Sequence, residues 1–145
     1  MTQGTILLVE DNPDDVDLTL RAFKRNRIAN TVKVARDGAE ALDMLYPRLP
    51  AEDFELPTII ILDLNLPKVP GLEVLRRIRE HETTRLLPVV VLTTSTEEAD
   101  VIRGYELGAN AYVKKPVAFE EFLSAAGNLG LFWLLLNVSP TDRLY

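Results

Sequence analysis

The stretch Thr58-Ile59-Ile60-Ile61-Leu62-Asp63 decides how this chain is read. Three successive isoleucines are β-branched and stiff at χ1, which suits a pleated strand and not a helix. The run does not alternate with polar residues, as expected for a strand covered on both faces, the usual state in a parallel sheet. It is expected to be the central strand, with Asp63 at its carboxyl end.

Working outward, the same signal recurs in shorter form. Thr5-Ile6-Leu7-Leu8-Val9 reads as a first strand, Thr31–Ala35 as an alternating outer strand, Val89–Thr93 as a fourth and Ala111-Tyr112-Val113 as a fifth. Between them the period changes to that of a helix. Asn12-Pro13 opens a helix whose Val16, Leu20 and Phe23 share one face to about Arg27, with Pro at the first helical position. Gly38 opens a second, with Ala39, Leu42 and Leu45 inward, and Gly71–Glu80 is a third, with Leu72, Leu75 and Ile78. Ser95 and Glu98 form a capping box for a fourth that stops at Gly108; Gly104 within it costs about 1 kcal/mol relative to Ala. Lys115-Pro116 turns the chain into a last helix from near Phe119. Pro47–Pro57, with three prolines and three acidic residues, is a long surface loop. Strict strand–helix alternation implies an α/β fold, a doubly wound five-stranded parallel sheet with right-handed crossovers.

The 145 residues suit one domain, 1–145, with an apolar C-terminal helical extension from about residue 130. A net charge of −6, with no Lys/Arg cluster of five, argues against nucleic-acid binding. There is no cysteine, so disulfides and thiolate metal sites are excluded. Met1-Thr2-Gln3-Gly4 lacks the start of a signal peptide, and the apolar stretch Leu129–Val138 is too short to span a bilayer. The expected location is cytoplasmic, with no membrane contact.

In a doubly wound sheet, ligands bind beyond the carboxyl ends of the strands. Glu10 and Asp11 follow the first strand, Asp63 ends the third, Thr93 ends the fourth, and Lys114 and Lys115 follow the fifth. Three gathered carboxylates repel one another unless a cation intervenes. Hard oxygen donors without His or Cys point to Mg²⁺. A carboxylate can also be a nucleophile toward phosphorus, which makes Asp63 a candidate phosphoryl acceptor. Lys115 and Thr93 could then meet phosphoryl oxygens.

Leu8-Val9-Glu10-Asp11-Asn12, Leu62-Asp63-Leu64-Asn65-Leu66-Pro67, Val91-Leu92-Thr93 and Val113-Lys114-Lys115-Pro116 resemble the motifs of two-component response regulator receiver domains. The resemblance runs from Thr5 to about Leu129, with 30 residues from Asp63 to Thr93 and 22 from Thr93 to Lys115. It implies the flavodoxin-like (βα)5 fold, strand order 2-1-3-4-5. It also implies a switch and not an enzyme. Asp63 takes a phosphoryl group from a sensor histidine kinase. Glu10, Asp11, Asp63 and the backbone carbonyl of Asn65 hold Mg²⁺. Thr93 shifts, Tyr112 rotates inward, and Lys115 pairs with the phosphoryl group across a cis Lys115–Pro116 bond. Of three departures, Glu10 stands where Asp is also common in the family and still offers a carboxylate on a longer arm, while Pro70 before Gly71 and the length of the Pro47–Pro57 loop lie away from the chemistry. That loop and the ending Gly127–Asn137 are similar to single-domain regulators of bacterial phytochrome kinases.

Other readings fare worse on particular residues. A haloacid-dehalogenase-like phosphotransferase needs a second Asp where Asn65 stands. A flavin or nucleotide carrier needs glycine where Glu10-Asp11-Asn12-Pro13 stands. A receiver acting only as an adaptor would not need the full set of switch positions. His81, in Arg79-Glu80-His81-Glu82-Thr83, reads as a solvated helix end, Lys114 as an exposed bystander, and Met44 and Tyr46 as packing or surface residues.

Phe119, Leu123, Ala126, Gly130 and Trp133 form one stripe of the last helix, and Phe122, Leu129, Phe132 and Leu136 a second. A monomer's outer helix needs one apolar face. The expected use of the excess is a homodimer through helix four, strand five, helix five and the extension, with folding back onto its own core as the alternative. Deleting residues 131–145 is expected to halve the mass measured by sedimentation equilibrium. A monomeric full-length chain would end the dimer reading.

Overall fold

The computed structural model describes residues 4–25, 28, 30–93, 103 and 105–114. Most of the expected fourth helix, the Lys115-Pro116 turn and the whole C-terminal extension lie outside the described residues. Five strands, β1 (Ile6–Val9), β2 (Val32–Ala35), β3 (Ile59–Asp63), β4 (Val89–Thr93) and β5 (Ala111–Lys114), form one sheet in the order β2-β1-β3-β4-β5. Every pairing is parallel, and α1 (Pro13–Arg25), α2 (Gly38–Leu45) and α3 (Gly71–Glu80) lie on the connections. The expected strand order and central position of β3 are both observed.

The core has two layers because side chains alternate across a strand. Leu7, Val9, Ile60, Leu62, Val89 and Val91 pack with the inner faces of α2 and α3. Ile6, Leu8, Ile59, Ile61, Val90 and Leu92 pack on the other side, with Val16 and Phe23 of α1. The aliphatic residues of β3 are all buried. Each contributes about 1.5–3 kcal/mol.

Local signals set the helix ends. Asn12 Oδ1 accepts from the N–H groups of Asp14 (2.9 Å) and Asp15 (3.3 Å), so α1 starts at Pro13 as its sequence suggests. Asp37 Oδ1 accepts from Glu40 N–H (2.7 Å), which caps α2, and Glu40 Oε2 reaches back to accept from Arg36 N–H (3.0 Å), one residue before the cap. Two inward faces differ from expectation by one position. In α2 the buried set is Gly38, Ala41, Leu42 and Leu45, with Ala39 half-buried; in α3 Val74 is buried and Leu72 is half-buried. Both observed sets follow the i, i+3, i+4, i+7 spacing more closely than the residues picked from the sequence.

The 47–57 segment is a loop, with Leu49 93% exposed. With α2 and the starts of β1 and β2 it lines a half-open pocket of about 240 Å³. Tyr46 has a larger structural part than its sequence context suggests. Thr84 is fully buried and donates to Ile78 C=O (2.8 Å), so it accepts from Tyr46 OH (2.7 Å). His81 is exposed at the C-cap of α3, as expected, and its ring stacks on Tyr46 at 4.3 Å. Burial raises the Tyr46 phenol above its ordinary range.

Gly108 has φ +95°, consistent with its expected role as a helix C-cap. Its carbonyl accepts from Arg79 Nε (2.8 Å), while Arg79 Nη1 donates to Leu87 C=O (2.7 Å) and Nη2 to Asn110 Oδ1 (2.8 Å). Asn110 Oδ1 also accepts from Val89 N–H (2.8 Å). One guanidinium thus ties the end of α3 to the starts of β4 and β5. Arg79→Ala is expected to cost about 1.5–3 kcal/mol, the range for hydrogen bonds to a charged group. Urea unfolding would measure it; a loss under about 0.5 kcal/mol would show that water replaces the guanidinium freely.

Candidate functional site

The pairing register builds the site. Val9 lies opposite Leu62 in the β1–β3 pair, so Glu10 comes level with Asp63. Continuing the strand alternation, both residues fall on the face that carries Ile6, Leu8, Ile59 and Ile61. Glu10 is 1% exposed and Asp63 4%, so two carboxylates are buried side by side at the carboxyl edge of the sheet. Asp11 is exposed next to them, and one carboxylate oxygen from each of Glu10, Asp11 and Asp63 lies within 4.8 Å of the others.

Backbone groups hold these carboxylates. Asn12 N–H donates to Glu10 Oε1 (3.2 Å), and Asn65 N–H donates to Asp63 Oδ1 (3.2 Å). Glu10 N–H is itself fixed by Ala35 C=O (2.9 Å), and Gly71 N–H by Leu64 C=O (3.1 Å). These contacts orient the acids, and three carboxylates this close repel one another unless positive charge lies among them. Mg²⁺ takes oxygen ligands at about 2.0–2.1 Å and usually keeps several waters. A cluster of this span, with no nitrogen or sulfur donor, fits that ion.

Of the residues expected at the site from sequence, Glu10, Asp11 and Asp63 are brought together, and Asn65 follows two residues beyond Asp63. Thr93 ends β4, one residue past Leu92, which pairs with Asp63. Its side chain, like that of Lys114, is outside the described residues, as is Lys115. Tyr112 is half-buried on β5, its ring tilted against Tyr105 with centroids 5.4 Å apart.

The start of α2 adds a polar junction beside the site. Asp37 caps it, and the Glu40 N–H bond, helped by Lys68, holds the Asp37 carboxyl below the usual range. Lys68 Nζ lies 3.4 Å from Asp37 Oδ2, and Lys68 has φ +67°, unlike any other non-glycine among the described residues. The pattern Asp37-x-x-Glu40 was a visible capping signal. Nothing in the sequence around Lys68 announces its left-handed backbone.

A family profile for the response regulator receiver domain matches residues 6–127. The chain is 44% identical over 136 residues to the probable methanogenesis regulatory protein FilR2 of Methanothrix harundinacea, covering 93% of this chain and 86% of that one. It is 40% identical over 129 residues to response regulator Rcp1 of Synechocystis, covering 89% and 88%. The Mn²⁺-bound form of Rcp1 superimposes with a TM-score of 0.76, at 38% identity and 94% and 99% coverage. The bacteriophytochrome response regulator AtBRR superimposes with a TM-score of 0.80, at 51% identity, covering 95% of this chain and all of that one.

A cation that binds only the folded chain stabilises it. Mg²⁺ at a hundred times its dissociation constant is expected to add about 2.7 kcal/mol to the unfolding free energy. Urea unfolding with and without MgCl₂ would read this gain, and Asp11→Asn should remove most of it. An undiminished gain in the variant would place the cation elsewhere.

Proposed function

The chain belongs to the response regulator receiver domain family, and from that premise we propose that it is a phosphorylation switch whose acceptor is Asp63. The observation that carries this reading is the convergence of Glu10, Asp11 and Asp63 at the carboxyl edge of the sheet. In the proposed step an Asp63 carboxylate oxygen attacks phosphorus of a kinase phosphohistidine. The P–N bond breaks, and the imidazole nitrogen leaves with its electron pair. Asp63 thereby becomes an acyl phosphate.

Glu10, Asp11, Asp63 and the Asn65 carbonyl would hold Mg²⁺, which supplies charge neutralisation for the phosphoryl oxygens. The Asn12 and Asn65 N–H groups keep two of the acids oriented. Lys115 would pair with the phosphoryl group and Thr93 donate to another of its oxygens. Movement of Thr93 would draw Tyr112 inward, away from Tyr105. The fourth helix, β5 and the last helix would then present a changed surface, to a second copy of the chain or to a downstream protein.

Similarity to AtBRR supports a phytochrome-type histidine kinase as the phosphoryl donor. The Mn²⁺-bound form of Rcp1 supports a divalent cation. Among the described residues no helix is long and apolar enough to cross a membrane, which accords with a cytoplasmic switch.

Incubation with Mg²⁺ and acetyl phosphate is expected to give an acid-stable, alkali-labile phosphoryl adduct, detected by intact-protein mass spectrometry. Asp63→Asn should abolish it. An adduct that survives in the variant would move the acceptor to another residue, and no adduct on the wild-type chain would leave only an adaptor role.

A further inference from the structure

The segment between β3 and α3, residues 64–70, carries Asn65 and is pinned at several points. At its ends, Asn65 N–H is held by Asp63 and Gly71 N–H by Leu64 C=O. Its middle leans on the start of α2. Gly38 N–H points at Pro67 C=O (3.4 Å), and a Cβ on Gly38 would collide with the Val69 carbonyl. The Lys68–Asp37 ion pair closes the same contact from outside. Lys68 adopts φ +67° there, a left-handed conformation that is strained for a residue with a Cβ. Two residues before Asp37, the N-cap of α2, stands Ala35, whose carbonyl fixes Glu10 N–H. One junction therefore touches both halves of the acidic site.

The geometry points to Lys68 and Asp37 as positioning residues of the cation site: their ion pair clamps the loop after β3 to the start of α2 and holds Asn65 in register with Asp63. This deepens, and rests on, the reading of Asn65 as a backbone ligand. Neither residue belongs to the acidic cluster itself. The clamp makes a prediction opposite in sign to plain electrostatics. Lys68 is a cation on the loop beside an acidic site, so its removal by charge alone would tighten Mg²⁺ binding. Loss of the clamp loosens it. The Lys68 side chain is 71% exposed, so the effect is modest.

Mg²⁺ affinity by isothermal titration calorimetry, on the full chain, separates these. Lys68→Asn removes the charge but keeps a residue that tolerates positive φ, and is expected to weaken Mg²⁺ binding two- to five-fold. Lys68→Arg should bind as wild type. Once Asp37→Asn is present, adding Lys68→Asn should cause no further loss. Lys68→Gly relieves the backbone strain as well as breaking the pair, so it should unfold at a higher urea concentration while binding Mg²⁺ more weakly. Equal or tighter binding by Lys68→Asn would overturn the inference, as would a Lys68→Gly variant that loses stability and affinity together. A wild-type chain that binds no Mg²⁺ would instead overturn the cation reading on which it rests.

Discussion

The parallel pairing of β1 with β3 is the constraint on which the rest depends. In a parallel pair both strands run out of the core at the same edge. Because Val9 lies opposite Leu62, the first residue past β1 and the last residue of β3 arrive there together. A slip of one residue would turn Asp63 to the other face and out of line with Glu10. The aliphatic layers prevent such a slip, since it would exchange the sets that pack against α1 on one side and α2 and α3 on the other. The same hydrophobic burial that stabilises the sheet therefore forces two carboxylates into one buried corner. Their mutual repulsion is the cost of the arrangement.

Around that corner the chain uses polar contacts to hold short connections still. Asn12 has two parts: its side chain caps α1 while its N–H steadies Glu10. Asp37 caps α2 and meets Lys68. On the opposite edge, Arg79 ties α3 to the starts of β4 and β5. The helix that follows the acidic site is thus anchored at its far end to the strands on the expected switch side. Burial lowers the Arg79 pKa, because its guanidinium is partly removed from water, and partial removal from water strengthens such ties relative to fully solvated pairs. By contrast the Glu73–Arg76–Arg77 cluster on the outer face of α3 holds Glu73 at about 2, yet it is screened by solvent and adds little to the fold.

Much of this could be read from the chain before folding. Ile59–Leu62 and Val89–Leu92 are continuous apolar runs, and no helix of this α/β alternation would leave them so. Pro13 and Gly108 mark helix ends through properties of their own backbones. The acids were identifiable because each follows a strand. The inward faces of α2 and α3 were legible in part: Ala41 and Val74 complete the i, i+3, i+4, i+7 spacing and Ala39 and Leu72 do not, but all four are apolar, so residue type alone does not separate them. Tyr46 gave no sign of its bond to Thr84, because the two are 38 residues apart in sequence.

What the sequence determined by itself was local or periodic: strand and helix types, the sheet's parallel sense, and which acids stand at strand ends. Those follow from χ1 restriction, side-chain period and the chemistry of Pro, Gly and Asp, all of which act within a few residues. Tertiary structure alone decided that Glu10, Asp11 and Asp63 come within 4.8 Å of one another, that Arg79 bridges the two connections leading into β4 and β5, and that Lys68 takes a left-handed backbone against Asp37. Each of these joins residues distant in the chain, and their meeting depends on sheet register and helix placement, which no short window of sequence contains.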